Sequence, residues 1–263
     1  MTKNRAVQWC ERTRVISMCV SVLGSLTMGM PRACAELSPP VAQEAASVTQ
    51  DGFTARWSAV PGATAYRLDV YRYDGVPPTT LHEGFDDYPS SVPQGWEIQN
   101  AGGVYETDAN SGVDIPSVKL SEDGHSVMTA TYPAAVTHLS FWYKGNSVSN
   151  SVIQIAASNE TGWTVLENLL LTNNAAATRS YSFSTADAYT RFRLVYGKVK
   201  GNVAIDDVIL QYGDGTRVYA LSNAGVGAFT SYQVTNLVAG VYRYAVRAVS
   251  ETEVSADSNV IEV

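Results

Sequence analysis

Two aspartates stand side by side in the run Val203-Ala204-Ile205-Asp206-Asp207-Val208-Ile209-Leu210. The flanking residues are apolar, so one carboxylate must turn inward or lie at a sheet edge. A buried, unpaired carboxylate is costly and calls for a cation or several hydrogen bonds. Glu83, Asp86 and Asp87 lie far back in the chain. If the two stretches pair, Glu83, Asp86, Asp206 and Asp207 become a set of oxygen ligands of the kind that suits Ca²⁺, which takes about six to eight of them. The alternative is that these acids pair with Arg191 or Arg193, or accept backbone N–H groups. The spacing is not that of a helix–loop–helix calcium loop. In a regular strand Asp206 and Asp207 point to opposite faces, which is the wrong arrangement for two carboxylates hydrolysing a glycoside.

Aromatic rings are the second kind of candidate. Flat rings stack on sugar faces while amides and carboxylates bond the hydroxyls. Trp163, in the turn Asn159-Glu160-Thr161-Gly162-Trp163-Thr164, is the ring expected to be exposed. Trp142 alternates with Phe141 and Tyr143, so one of those two faces is expected to be wet. Tyr105 fits either a binding or a packing role, and Trp96 reads as core. Each ring also has the plainer reading of edge or core packing, and an exposed ring equally suits a protein surface. Asn159-Glu160-Thr161 is a formal glycosylation acceptor of little weight. His82, His125 and His138 form no zinc-binding pattern, and no nucleophile elbow, phosphate loop or dinucleotide fingerprint is present, so an enzyme is not expected.

Composition bounds the rest. The chain has 263 residues and a formal charge of −7. Lys3, Arg5, Arg12 and Arg14 precede the apolar run 15–30, and Ala33-Cys34-Ala35 closes it with a small-x-small cleavage pattern, so residues 1–35 read as a secretory signal. The apolar run is shorter than the ~20 residues that span a bilayer, so no membrane span is expected after its removal. The remaining chain keeps 13 basic against 24 acidic residues, a charge of −11, and none of the three cysteines. Disulfides, thiolate catalysis and Cys-bound zinc are thereby excluded. So acidic a surface repels phosphate backbones and makes nucleic acid an unlikely partner.

Short alternating segments divided by turn residues fill the chain from Phe53 onward, with no amphipathic helical run longer than a turn or two. This is an all-β pattern. Tyr66, Leu68 and Val70 alternate with Arg67, Asp69 and Tyr71; far downstream Tyr242, Tyr244, Val246 and Ala248 share one face of another strand. Between them lies a block of nine alternating segments from about His82 to Leu210. Asp123-Gly124 and Asn159–Gly162 mark turns within it. Two packed antiparallel sheets of jelly-roll type fit such a count.

Here the residues resemble known families. Trp57-Ser58-Ala59-Val60-Pro61-Gly62 through Arg72 is similar to strands B and C of a fibronectin type III domain, and 230–249 to its strands E and F. Leu237 and Tyr242 resemble that family's tyrosine corner, but Ala239 stands where proline is usual, which puts the corner's hydrogen bond in doubt. The stretches 81–98 and 201–210 resemble the framing motifs of MAM-like jelly rolls, with cleaved-adhesin and choice-of-anchor J domains as bacterial relatives, and Leu139–Asn146 resembles their central strand. The resemblance implies a fibronectin type III-like β-sandwich in two parts, 36–76 and 214–263, with a jelly-roll β-sandwich, 77–213, inserted in one loop. It also implies a secreted or surface-bound bacterial protein, with a structural Ca²⁺ in such jelly rolls. The function expected is non-catalytic binding or adhesion to a glycan or an extracellular protein, by a monomer. A spacer module in a larger secreted protein, or an accessory domain of a secreted hydrolase, is the alternative.

Overall fold

The computed structural model describes residues 37–263; the signal sequence expected at 1–35 lies outside the described residues. The chain is all-β, as its alternation predicts. Eighteen strands follow in order: β1 (Ala42–Ala46), β2 (Phe53–Trp57), β3 (Ala65–Asp74), β4 (Thr79–Glu83), β5 (Glu97–Gln99), β6 (Val104–Tyr105), β7 (Ser117–Leu120), β8 (Ser126–Met128), β9 (Val136–Asn146), β10 (Ser151–Asn159), β11 (Gly162–Leu171), β12 (Ala176–Ser182), β13 (Arg191–Gly197), β14 (Asn202–Tyr212), β15 (Thr216–Gly225), β16 (Ser231–Val234), β17 (Arg243–Val249) and β18 (Ile261–Glu262). No helix among the described residues is long and apolar enough to cross a membrane.

The strands build two hydrophobic cores. A three-stranded sheet β1-β2-β16 and a four-stranded sheet β15-β3-β17-β18 enclose the smaller. β3 and β17 pair directly, with Val70 opposite Tyr244, Leu68 opposite Val246 and Tyr66 opposite Ala248. All six side chains are buried because period-two alternation turns every second residue to one face. Tyr244 fastens this core to the other sheet: its ring stacks on Phe53 at 5.6 Å, and its hydroxyl accepts from Arg56 N (3.2 Å) and donates to Gln43 O. The Tyr242 side chain is buried beside it, but its hydroxyl makes no hydrogen bond among the described residues.

The larger core lies between a five-stranded sheet, β11-β10-β13-β8-β5, and a six-stranded sheet, β12-β9-β14-β7-β6, with β4 also paired to β14. Phe192, Leu194 and Tyr196 of β13 and Ile153, Ile155 and Ala157 of β10 face it from one side, and Phe141, Ile205 and Leu210 from the other. Trp96 is core, edge-on to Phe85 at 5.7 Å. The Asp123-Gly124 turn forms, but the strands it joins part company: β7 enters the six-stranded sheet and β8 the five-stranded one. It is a crossover between layers rather than a hairpin. Asn159–Gly162 does close a hairpin, β10 to β11. At the open edge, Glu167 of β11 accepts Arg179 Nε and Nη2 (2.8 and 2.7 Å) and the Tyr181 hydroxyl (2.6 Å) from β12, clasping one sheet to the other.

The chain passes between the two cores twice, at 75–78 and 213–215, and the passages run side by side: Gly215 N donates to Val76 O at 2.8 Å. Glycine is required there. Gly213 has φ +88°, and a Cβ on it would sit 2.3 Å from Pro77 O.

Candidate functional site

Pairing of β4 with β14 sets Glu83 opposite Val208 and brings the acidic stretches to one end of the six-stranded sheet. The aspartate pair departs from the sequence expectation. The register slips between Asp206 and Ile209, and Asp207 adopts φ +44°. This bulge turns Asp207 to the side that Asp206 already faces. The two carboxylates therefore do not point to opposite faces; both reach the same loop. Gly112 N donates to Asp206 Oδ2 and Val113 N to Asp207 Oδ2, each at 2.8 Å. Asp206 Oδ1 accepts from Asp207 N (2.9 Å), and Asp207 Oδ1 lies 2.9 Å from His82 Nε2. A Cβ on Gly112 would fall 1.9 Å from Asp207 Oδ2, so only glycine lets the loop approach this closely.

Asp206 is 1% exposed. Burial pushes its carboxyl up to about 6, against the N–H groups of Gly112 and Asp207, which favour the charged form. Lys144 binds the same loop, donating to Ala109 O and to Asn110 Oδ1 (3.1 Å). These contacts fasten residues 106–116 over the outer face of the six-stranded sheet. Arg191 and Arg193 take no part: Arg191 pairs with Glu97 at 2.7 Å, and Arg193 lies against Trp163. The carboxylates are thus satisfied by backbone donors and His82, not by the arginines.

Glu83 is half-buried and accepts from Phe85 N at 2.8 Å, while Asp86 and Asp87 are exposed. Burial raises the Glu83 carboxyl, the Phe85 N–H opposes this, and Asp86 raises it further. The three acids line a polar recess of about 260 Å³ with His82, Tyr88 and Ser91. Among the described residues, no three His, Cys, Asp or Glu side chains converge as a metal-ligand set. One oxygen of each of Asp206 and Asp207 is taken by the loop and the other by Asp207 N or His82, which the sequence does not disclose.

The aromatic candidates separate. Trp163 opens β11 on the outer face of the five-stranded sheet and is 39% exposed, with the Arg193 guanidinium 4.5 Å from the ring centre. Along the same face Gln154 Nε2 donates to Asn168 Oδ1 at 3.1 Å, and Val165 and Leu170 are exposed. Beside the hairpin turn, Tyr132, Asn159, Glu160, Thr161, Asp187 and Thr190 are among the residues lining a cleft of about 580 Å³. The Asn159 amide donates to Asp187 O at 3.0 Å, so the formal acceptor nitrogen is already engaged. Trp142 is half-buried on the other sheet, paired with Thr178 and Asp206 next to the fastened loop. Tyr105 is half-buried at that sheet's edge under Lys119, 5.2 Å from the ring centre; burial raises its phenol, and the amides of Asn202 and Asn146 pull it back.

No protein-family model matches the chain, and no curated protein matches it. Among solved structures, the K3 cleaved adhesin domain of Lys-gingipain from Porphyromonas gingivalis w83 is similar over 51% of this chain and 99% of its own, at 12% identity and a TM-score of 0.40. A family 29 carbohydrate-binding module is similar over 52% of this chain and 90% of its own, at 13% identity and a TM-score of 0.34. A xylan-binding domain of carbohydrate-binding module family 22 is similar over 50% and 93%, at 14% identity and a TM-score of 0.36. Likeness at this level says nothing about what the chain does; that rests on its own residues.

Proposed function

We propose that this chain is an exported, non-catalytic binding protein. In this reading a fibronectin type III-like sandwich carries an inserted jelly roll, which recognises a glycan on the outer face of its five-stranded sheet. The observation that carries the reading is Trp163. It is an exposed indole backed by the Arg193 guanidinium at 4.5 Å, on a face that also presents the Gln154 and Asn168 amides. A sugar ring lays its C–H face on an indole, and amides and guanidinium bond its hydroxyls; binding needs no covalent step. The cation under the ring holds it in place, which lowers the conformational cost of capture. Export rests on the N-terminal leader pattern of residues 1–35.

A calcium ion belongs to this proposal only at the recess beside β4, where Glu83 and Asp86 would supply oxygens and water the remainder. It would relieve the repulsion among Glu83, Asp86 and Asp87. Thermal melting of the full chain with Ca²⁺ and with chelator is expected to differ by several degrees, because a ligand bound only to the native state stabilises it; identical curves refute the ion.

The recognition reading is tested on a glycan array with the full chain. Binding to at least one glycan class, lost in Trp163→Ala, is expected. Silence across the array, with a folded protein, leaves the chain as a spacer.

A further inference from the structure

The smaller sandwich carries a second surface, separate from the Trp163 face. Its four-stranded sheet sets Tyr219 opposite Tyr71 and Arg217 opposite Tyr73. Alternation puts these four residues on the outer side of the sheet, away from Leu68 and Val70 in the core. The Arg217 guanidinium lies 4.5 Å from the Tyr71 ring centre, and its Nε donates to the Tyr73 hydroxyl at 3.3 Å. Tyr71 packs edge-on against Tyr73 at 5.7 Å and tilted against Tyr219 at 5.6 Å. Tyr71 is therefore only 2% exposed although it faces outward, while Tyr219 remains 44% exposed. The tyrosines form a floor that holds the guanidinium in one place.

Ion pairing distinguishes this arginine from Arg243 and Arg247 of the same sheet, and its seat on the Tyr71 ring distinguishes it from Arg67 and Arg72, which are also without a carboxylate partner among the described residues. Arg243, over Tyr73, pairs with Glu262, and Arg247 pairs with Asp69 and Asp257. No carboxylate among the described residues comes within ion-pairing distance of Arg217. The chain carries more acids than bases, with a net charge of −7. An oriented guanidinium left without an acid in such a chain is matched to a carboxylate from outside, because its planar fork binds carboxylate at two points.

The backbone beside it is open as well. β15 is the terminal strand of its sheet. Thr216–Tyr219 keep regular register against β3, and the bulges begin only after Tyr219. Edges that avoid pairing carry proline, charged side chains or a bulge; the one charge in Thr216-Arg217-Val218-Tyr219 is Arg217 itself, whose guanidinium lies over the Tyr71 ring. Arg217 and Tyr219 sit two residues apart, the spacing at which an added strand offers successive side chains to one face. Arginine and tyrosine are also the residue types that anchor protein interfaces.

We propose that the β15 edge docks an extended acidic segment of another protein as an added strand, with a carboxylate of that segment on Arg217 and the side chain two residues along against Tyr219. An acidic sugar offers the same carboxylate, but it has no use for the open backbone edge.

The test titrates the ¹⁵N-labelled full chain with a peptide of alternating threonine and glutamate. A threonine–glutamine peptide and a galacturonic acid trimer serve as comparators. The threonine–glutamate peptide is expected to shift the amides of 216–219 and to slow their hydrogen exchange. Affinity should fall at least tenfold for the glutamine peptide and for Arg217→Gln, with Arg217→Lys between. Should Arg217→Gln lose its native spectrum, Tyr219→Ala carries the same expectation. Unchanged 216–219 amides, equal affinity in the variant, or a response to the sugar acid alone each overturns the proposal.

Discussion

The two outer faces of the larger sandwich have been put to different ends. On the six-stranded side, Asp206, Asp207 and Lys144 hold the loop 106–116 against the sheet, and Trp142 is half-buried beside it. On the five-stranded side no such loop is fastened down among the described residues; Trp163, Val165 and Leu170 are exposed and Gln154 and Asn168 bond to one another. Both faces started with a tryptophan in an alternating strand. What separates them is the bulge at Asp207, which doubles the acceptors on one side and so recruits a covering loop. In the proposed reading, only the tryptophan that no part of its own chain covers is left to meet a ligand.

The largest effect is expected in the layer that both faces share. Phe141 is fully buried between the sheets, and Phe141→Ala is expected to cost about 3–5 kcal/mol in urea unfolding, abolishing both faces. Next in size is the fastening itself. Asp206→Ala strands the Gly112 and Asp207 N–H groups and is expected to cost about 1–3 kcal/mol, with fast hydrogen exchange appearing in 106–116 while the five-stranded sheet stays protected.

Acidity sharpens the same contrast. The Asp206 carboxyl is raised from 3.8 to about 6 by burial. A group raised in the folded state lends its stability fully below its unfolded value and loses it as pH rises through its folded value. The wild type should therefore gain on Asp206→Asn as pH falls from 7 towards 4, by an amount on the order of 2–3 kcal/mol, followed by urea unfolding at each pH. A flat difference would mean that the carboxylate is not buried. The smallest effect belongs to the clasp between the sheets: Glu167→Gln removes a partly exposed pair with Arg179 and is expected to cost no more than about 1 kcal/mol.

Alternation was legible wherever strands run regularly. Phe192, Leu194 and Tyr196, or Tyr66, Leu68 and Val70, announce their buried face in the sequence, and Trp163 follows a turn that forms as written. Two short strands, β4 and β5, are not legible: β5 has three residues, too few for a period, and β4 has a single apolar residue, Leu81, so its alternation does not show. The aspartate pair is not legible for a physical reason: aspartate tolerates the left-handed region, but only a few per cent of non-glycine residues adopt it, and an apolar strand on both sides gives no sign of a bulge there. The Arg217 platform escaped as well, since an arginine laid over tyrosine on an outer face has the same spacing as an ordinary solvated strand.

One affinity comparison decides between the two tryptophans. On the glycan that the full chain binds best, calorimetric titration of Trp163→Ala should show at least a tenfold loss, while Trp142→Ala stays within about twofold of wild type. Equal losses in the two variants, or a loss confined to Trp142→Ala, would contradict the assignment of recognition to the open face.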